Sequence, residues 1–422
     1  MSRHRVRIGF IPLVDVAVLV AARELDFAAA EGVELELHRE TSWSNIRDKV
    51  AFGLFEGAQM LAPLPIAMRL GLGSVAHEAV APFVLSVNGN AISVSRELAA
   101  AMSAAPPPEG GPLSPQGATL QALAALGEGV RELSRRRATP LIFGVPFPFS
   151  CHAYELRHCL AHAGLATGRE VEIAVVPPPL MVDALRAGKL DGFCVGEPWN
   201  SVAVDAELAE IVLPGSQVWQ FAPEKVLALR QDWAGSHQET LAALLRALYK
   251  AALWADKAEN HVTLSEILAR EGYLDLPAEI IERALAGRLT LAPDGRQGLF
   301  EDFLVLQRKA ATFPWRSFAL WIYAQMVRAG QVEHSAARLE AVRQVFRPDL
   351  YRAALGPAGV DLPGASEKVE GALAGETPVA SRAGKLYLGP DRFFDGTVFD
   401  PNGLEDYLAS AGPTGRGRLG NS

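Results

Sequence analysis

The chain has 422 residues, a formal net charge of −8, 49% hydrophobic residues and 21% charged residues. This length suits two or three domains of ordinary size, and the composition excludes a largely disordered protein. The acidic balance, without a block of lysines and arginines, argues against direct nucleic-acid binding.

The first ninety residues alternate between strand and helix patterns. Strands are predicted over 5–13 and 33–37, and Asp15 is the expected N-terminal cap of a helix over 16–28. A further strand, turn and helix continue the series. Repeated βα units predict a sheet of mostly parallel strands with helices on its faces.

A strand pattern over 83–95 is interrupted at Asn88 and Gly89, where we expect the chain to cross into a second lobe. The segment 103–118 is rich in proline and glycine and predicts an exposed loop. Ser150 is then the expected cap of a helix that begins the second half of this lobe.

The stretch 171–200 ends in an apolar run that stops at Gly196. Pro177 to Pro179 stop its first strand, because proline cannot donate to a sheet ladder. A strand that stops at glycine exposes a backbone N–H at its carboxyl end, where open α/β sheets place ligands. We expect Glu197 and Trp199 to fix a hinge there rather than to contact the ligand.

Two α/β lobes joined by two crossings predict a two-lobed, periplasmic-binding-protein-like α/β fold of the type II, Venus-flytrap kind, which closes on a small ligand. Leucine and alanine at helical spacing predict a helical C-terminal part. The predicted segments are a first lobe over 1–90, a second lobe over 91–196, a largely helical return to the first lobe over 197–350, a C-terminal wrap over 351–410 and a disordered tail over 411–422.

The N-terminus imitates a secretory leader, because basic residues precede an apolar stretch. Asp15 interrupts that stretch, so we expect a leaderless, cytoplasmic protein. The three cysteines, Cys151, Cys159 and Cys194, leave one unpaired in any disulfide scheme, which favours a reducing compartment. No metal site is predicted, and no apolar segment is long enough for a membrane span.

Several motifs occur in one order across 7–410: IGFIPLVD, TSWSNIRD, VVPPPLMV, FCVGEPWN, the PEK of 223–225 and FFDGTVFDPNGLEDYL. Together they resemble the nitrate-binding proteins of bacterial ABC transporters, the NrtA/CmpA group. They equally resemble the related cytoplasmic nitrate/nitrite sensors of the NasS type. The resemblance covers nearly the whole chain.

In this group an indole, a side-chain amide, a histidine, a glycine N–H and a lysine surround the anion. The resemblance places these ligand-binding groups at Trp43, Asn90, His152, Gly196 and Lys225. Nitrate oxygens only accept hydrogen bonds, so the site needs donors and should contain few acceptors. A position in the first turn of a helix also favours an anion, through exposed N–H groups and the helix dipole.

Each residue type also has an ordinary explanation. A lone tryptophan is more often core, a lone lysine is more often on the surface, and Asn90 could be a turn residue. Asn90 stands where the transporter proteins commonly carry glutamine, which leaves the choice between nitrate and nitrite open. Lys225 stands where the bicarbonate-binding relatives are acidic and use calcium, which argues against both here.

The missing leader and the free cysteines favour a cytoplasmic nitrate/nitrite sensor. The resemblance then implies an RNA-binding ANTAR antiterminator as partner for nitrate-assimilation genes, with reciprocal negative coupling between anion and partner. The alternatives are the solute-binding subunit of a nitrate ABC transporter, a sulfonate-binding relative, or an enzyme on the same fold. No nucleophile–base constellation is recognised, so we expect no catalytic residue, no cofactor and no enzymatic activity.

Overall fold

Two β-sheets organise the residues that the computed structural model describes, 4–103 and 114–410. The strands are β1 (His4–Phe10), β2 (Val33–Arg39), β3 (Gly57–Leu61), β4 (Ala79–Asn88), β5 (Asn90–Ser95), β6 (Leu141–Val145), β7 (Val171–Val175), β8 (Gly192–Gly196), β9 (Ala209–Pro214), β10 (Pro223–Arg230), β11 (Arg288–Thr290), β12 (Gln297–Leu299), β13 (Leu304–Val305), β14 (Thr377–Pro378) and β15 (Tyr387–Leu388).

Helices cover both sheets and are the main regular structure of the described chain after β10. They are α1 (Ala17–Glu24), α2 (Phe27–Ala30), α3 (Trp43–Ala51), α4 (Leu64–Arg69), α5 (Arg96–Ser103), α6 (Pro115–Arg137), α7 (Cys151–His162), α8 (Met181–Arg186), α9 (Trp199–Asp205), α10 (Gln231–Ser236), α11 (Gln238–Ala255), α12 (His261–Leu268), α13 (Ala278–Leu285), α14 (Arg316–Arg328), α15 (Ala336–Arg343), α16 (Pro348–Leu355) and α17 (Leu404–Ser410). Among the helices that the structure describes, none has the length and apolar character needed to cross a membrane.

The first lobe is built on the sheet β13-β4-β10-β3-β1-β2, and the second on β7-β6-β8-β5-β9. The two-lobed α/β fold class is therefore confirmed. The sheets are mixed rather than mostly parallel: β1 runs parallel to β2 and β3, whereas β10 runs antiparallel to β3 and β4. The antiparallel pairs arise because strands that pass between the lobes enter each sheet against the direction of its βα units.

The first crossing lies where the sequence predicts it. β4 ends at Asn88 and β5 begins at Asn90, on either side of Gly89. Asn88 and Gly89 have φ angles of 58° and 94°, values that asparagine and glycine tolerate better than other residues. These two left-handed residues let the chain continue directly from β4 in the first sheet into β5 in the second sheet.

The return crossing lies later than the predicted end of the second lobe at residue 196. After β8, the chain forms α9 and then β9, which pairs with β5 in the second sheet. Only between Pro214 and Pro223 does the chain return to the first lobe, as β10. The sequence prediction did not include β9 among the strands, and so it placed the lobe boundary too early.

Three other sequence predictions can be compared with the described residues. The helix expected over 16–28 is two helices, because Asp26 adopts a left-handed conformation between α1 and α2. The loop expected over 103–118 lies mostly outside the described residues, and α6 already begins at Pro115. The tail expected to be disordered, 411–422, also lies outside them.

The segment after α16 contains little regular structure and packs against both lobes. Phe393 stacks on Trp219 with ring centroids 4.5 Å apart, and the Trp219 indole N–H donates to the Asp391 carbonyl at 3.0 Å. The next residue, Phe394, joins the core of the second lobe and contacts the ring of His162 on α7, with centroids 4.9 Å apart. The segment therefore ties the helical part to the second lobe.

Replacing Phe393 with alanine should destabilise the protein, because the ring is 5% exposed and stacks on Trp219. We expect the free energy of unfolding to fall by about 3–5 kcal/mol, measured by urea denaturation. Tyr387→Ala, in the same segment but 53% exposed, should change it by less than about 0.5 kcal/mol. Equal losses in the two variants would contradict this account.

Candidate functional site

Two helices of opposite lobes begin at the predicted site. Trp43 is the first residue of α3, and Ser42 caps this helix by accepting a hydrogen bond from the Asn45 N–H at 3.2 Å. His152 is the second residue of α7, which Ser150 caps through the Ala153 N–H at 3.1 Å, as predicted. Both first turns are therefore fixed by a serine cap, and both aromatic side chains are buried.

Sheet pairing brings two further predicted residues together. Asn90 at the start of β5 and Gly196 at the end of β8 are register partners in the second sheet. A Cβ atom on Gly196 would lie 3.4 Å from the Leu13 side chain and 3.5 Å from Oδ2 of Asp15, in the first lobe. The carboxyl end of β8 therefore faces the turn that follows β1.

Lys225 is a fully buried cation at the centre of these residues. Its Nζ lies 2.8 Å from Oδ2 of Asp15, 2.5 Å from Oε1 of Glu224 and 5.7 Å from the centroid of the Trp43 ring. Burial lowers the pKa of Lys225, but the two carboxylates outweigh it and raise that pKa to about 12. The ammonium group therefore stays charged over the physiological pH range.

Asp15 is not the helix cap that the sequence predicts. It lies in a short 3₁₀ turn, Val14–Val16, and its side chain makes no capping hydrogen bond there. The carboxylate is buried, pairs with Lys225 and accepts a hydrogen bond from Nε2 of Gln59. Burial raises the pKa of Asp15 to about 6, against the opposing charge of Lys225. Its role is therefore ionic, because the lysine requires a counter-charge.

Glu224 lies among the predicted donor groups. Its Oε2 accepts from Nδ2 of Asn90 at 3.2 Å, and its Oε1 lies 3.0 Å from Nε2 of His152 as well as beside Lys225. Its side chain is fully buried at the junction of the lobes. The expectation of a site with few acceptors is therefore wrong, since Asp15 and Glu224 both contact the cation.

Several donor groups at the site are buried without a hydrogen-bond partner among the described residues. They include the indole Nε1 of Trp43 and both ring nitrogens of His152, whose contact with Glu224 falls outside hydrogen-bond geometry. Burial, and next the charge of Lys225, hold the pKa of His152 well below its usual value, so its ring is neutral. A neutral imidazole and an indole can each donate one hydrogen bond to a ligand.

Backbone hydrogen bonds across the lobes hold the turn after Gly196. The Val14 N–H donates to the Glu197 carbonyl at 2.9 Å, and the Glu197 N–H donates to the Gly89 carbonyl at 2.9 Å. The Trp199 indole N–H donates to the Pro12 carbonyl at 3.2 Å. These contacts join Glu197 and Trp199 of the second lobe to the turn after β1 in the first lobe. Neither residue lies on a lobe crossing, because the chain returns to the first lobe only after Pro214, and the Glu197 side chain accepts from the Ser201 N–H at 3.2 Å.

The structure brings all five predicted residues to one junction, with Lys225 and Trp43 on the first lobe and Asn90, His152 and Gly196 on the second. Whether they bind a ligand stays a prediction. Sequence reasoning missed the residues that complete the junction, which are Asp15 as an ion-pair partner, Gln59, Glu224 and Gly215. Only Glu224 left a signal, because it precedes Lys225 in the PEK motif.

Gly215 shapes the site from behind Asn90. A Cβ atom at this position would lie 1.9 Å from Oδ1 of Asn90, too close for any side chain. In the described part of the chain, no group of three or more His, Cys, Asp or Glu side chains could hold a metal ion. The site is therefore a polar junction built around one lysine.

A family model described as the NMT1-like family matches residues 2–269. Similar curated proteins include the nitrate/nitrite binding protein NrtA of Nostoc sp. PCC 7120, with 28% identity over 96% of this chain and 85% of that protein. The nitrate import ATP-binding protein NrtC of Synechocystis sp. PCC 6803 is 32% identical over 97% of this chain. The chain spans only 55% of the length of NrtC.

Solved structures show the same architecture. The crystal structure of the periplasmic nitrate-binding protein NrtA from Synechocystis PCC 6803 superposes with a TM-score of 0.82 and 26% identity, covering 97% of this chain and 98% of that one. A ligand-binding component of an ABC-type import system from Staphylococcus aureus has a TM-score of 0.61 at 16% identity, with 83% of this chain and 99% of that one covered, and shows the fold alone.

Gly215→Ala should destabilise the protein, because the new methyl group displaces the Asn90 amide. We expect a loss of about 1–3 kcal/mol in the free energy of unfolding, measured by denaturant titration. Gly235→Ala is the matched control, since nothing lies within 4 Å of its Cβ position in α10, and it should be neutral or stabilising. A Gly215→Ala variant with the same free energy of unfolding as the wild type would show that the Asn90 amide is not held against Gly215.

Lys225→Met leaves Asp15 and Glu224 buried without their cation. Their pKa values rise further, so the folded state binds more protons than the unfolded state, and its stability increases as the pH falls towards about 4. We expect a loss of about 3–5 kcal/mol at pH 7.5 and a smaller loss at pH 5, from denaturant titration at each pH.

The control for this pH effect is Lys257→Met. Lys257 pairs with Glu259 on the surface, where the two side chains are 61% and 75% exposed. Removing an exposed pair of this kind should change stability by less than about 1 kcal/mol at either pH. A loss for Lys225→Met that does not depend on pH would contradict the assignment of Asp15 and Glu224 as its buried counter-charges.

Proposed function

The chain belongs to the NMT1-like family, and we propose that it is a solute-binding protein that holds nitrate or nitrite between its lobes and delivers it to an ABC transporter. One observation carries the proposal: a buried lysine at the lobe junction, surrounded by donor groups from both lobes. The names of the similar proteins, the nitrate/nitrite binding protein NrtA and the nitrate import ATP-binding protein NrtC, support this ligand class and this partner.

The chemistry of the junction suits a small oxyanion. Lys225 supplies a permanent positive charge, and the Trp43 indole, the Asn90 amide and the His152 ring supply hydrogen-bond donors. Gly196 is the last residue of β8, so no side chain blocks the backbone at the carboxyl end of this strand. The bicarbonate-binding protein CmpA is also similar, at 27% identity, so the choice of anion depends on these groups rather than on overall similarity.

The ligand proposal is tested by calorimetric titration of the protein with nitrate, nitrite, bicarbonate and sulfate. Trp43→Phe keeps the ring and removes the indole N–H, so it should weaken nitrate binding by about ten- to a hundredfold. Trp315→Phe is the matched control, because Trp315 is also buried with an unpartnered indole N–H among the described residues, and it should bind nitrate as the wild type does.

Failure to bind either nitrogen oxyanion, with bicarbonate or sulfate bound instead, would overturn the proposed ligand. Equal weakening in the two tryptophan variants would overturn the proposed position of the site.

A cytoplasmic sensor is the second candidate function. Its support is that all three cysteines, Cys151, Cys159 and Cys194, are buried free thiols, which suits a reducing compartment. In this proposal the anion weakens the binding of an RNA-binding ANTAR antiterminator, and the antiterminator weakens the binding of the anion by the same factor. Co-elution with such an antiterminator from the same organism, abolished by nitrate, would favour the sensor over the transporter subunit.

A further inference from the structure

The Glu224 carboxylate lies where the proposed anion must bind. Its oxygens contact Lys225 Nζ at 2.5 Å, Asn90 Nδ2 at 3.2 Å and His152 Nε2 at 3.0 Å. These are three of the five groups assigned to the anion, and they come from both lobes. A carboxylate and a nitrate are both planar oxyanions that only accept hydrogen bonds, so the same donors cannot serve both fully.

The net charge of the buried groups also opposes the binding of an anion. With Asp15 and Glu224 ionised and Lys225 protonated, the buried group already has one more negative than positive charge. His152 is neutral and adds nothing. A second monoanion placed beside Lys225 would then face two carboxylates in a junction that excludes water, where like charges repel strongly.

We propose that nitrate binds together with one proton, which the Glu224 carboxylate accepts, so that Glu224 changes from a competitor of the anion into a neutral neighbour. The inference rests on the proposed function. The step is a simple protonation: the carboxylate oxygen takes a proton from solvent, no other bond changes, and Lys225, Asn90 and His152 are released to the incoming anion.

Glu224 is better placed for this proton than the other carboxylates that face it. Asp15 pairs with Lys225 and accepts from Gln59, but the contacts of Glu224 with Asn90 and His152 are not shared by Asp15. Protonating Asp15 therefore releases neither of these two donors.

The pKa values agree with this assignment. Burial raises the pKa of Glu224, against the opposing charge of Lys225. Burial, and next the charge of Glu224, hold the pKa of Glu155 well above its usual value. Burial, and next Glu224, likewise keep Cys151 as a neutral thiol. A bound anion beside Lys225 raises the pKa of Glu224 further.

Linkage fixes the sign of the effect. Because the complex binds more protons than the free protein, affinity for nitrate rises as the pH falls. Above the pKa of free Glu224 and below that of Glu224 in the complex, the dissociation constant should change by up to about tenfold per pH unit.

The experiment is calorimetric titration with nitrate at pH 6, 7 and 8, in buffers of different ionisation enthalpy, which counts the protons taken up. In the wild type we expect uptake approaching one proton per nitrate. Glu224→Gln should remove the uptake and the pH dependence, and bind nitrate about tenfold or more tightly than the wild type at pH 8.

Glu370→Gln is the matched control, because Glu370 is also a buried carboxylate and lies beside Lys368 and Asp391 in the C-terminal segment. None of its hydrogen bonds or ion pairs among the described residues is with a residue of the lobe junction. It should keep the proton uptake of the wild type. If Glu224→Gln does not fold, Asp15→Asn is the deciding variant, because it retains Glu224 and should keep the proton uptake; loss of uptake in Asp15→Asn would assign the proton to Asp15 instead and overturn the inference.

The outcomes separate the two proposals. Nitrate binding without proton uptake, or with uptake that persists in Glu224→Gln, overturns the role of Glu224 and leaves the proposed ligand intact. An absence of nitrate or nitrite binding at every pH, in both the wild type and Glu224→Gln, overturns the proposed function and this inference with it.

Discussion

A single buried lysine organises the junction between the lobes. An ammonium group removed from water is stable only beside opposite charge, and Lys225 has Asp15 and Glu224 within 2.8 Å. Meeting this requirement fixes the turn after β1 through Asp15, fixes β3 through Gln59, and holds the start of β10. The acceptors at the site are therefore a consequence of burying its cation.

The relative position of the lobes is set by polar contacts on one side and aromatic packing on the other. At the junction, Glu224 of the first lobe reaches Asn90 and His152 of the second. On the outside, the C-terminal segment places Phe393 on Trp219 and Phe394 on α7. Separating the lobes would therefore break the contacts of Glu224 with Asn90 and His152. It would also require the C-terminal segment that contains Phe393 and Phe394 to move or bend.

Predictions based on local patterns were the more accurate ones. Ser150 caps its helix and the chain crosses lobes at Asn88 and Gly89, because capping and left-handed turns depend on a few adjacent residues. The missed strand β9 and the mistaken cap at Asp15 have the opposite cause. The strand that pairs with β9 and the lysine that pairs with Asp15 lie far away along the chain, so no local pattern reports them.

The sequence by itself determined the two-lobed fold, through its βα periodicity. The resemblance of its ordered motifs to a known family pointed to the five residues that meet at the junction. Only the tertiary structure decided what surrounds Lys225. Asp15 and Gln59 reach it from distant parts of the chain through folding, whereas Glu224 precedes it in sequence and owes only its burial and its lobe contacts to the fold. The carboxylates of Asp15 and Glu224 shift each other's pKa according to their separation and burial, and folding alone sets both quantities.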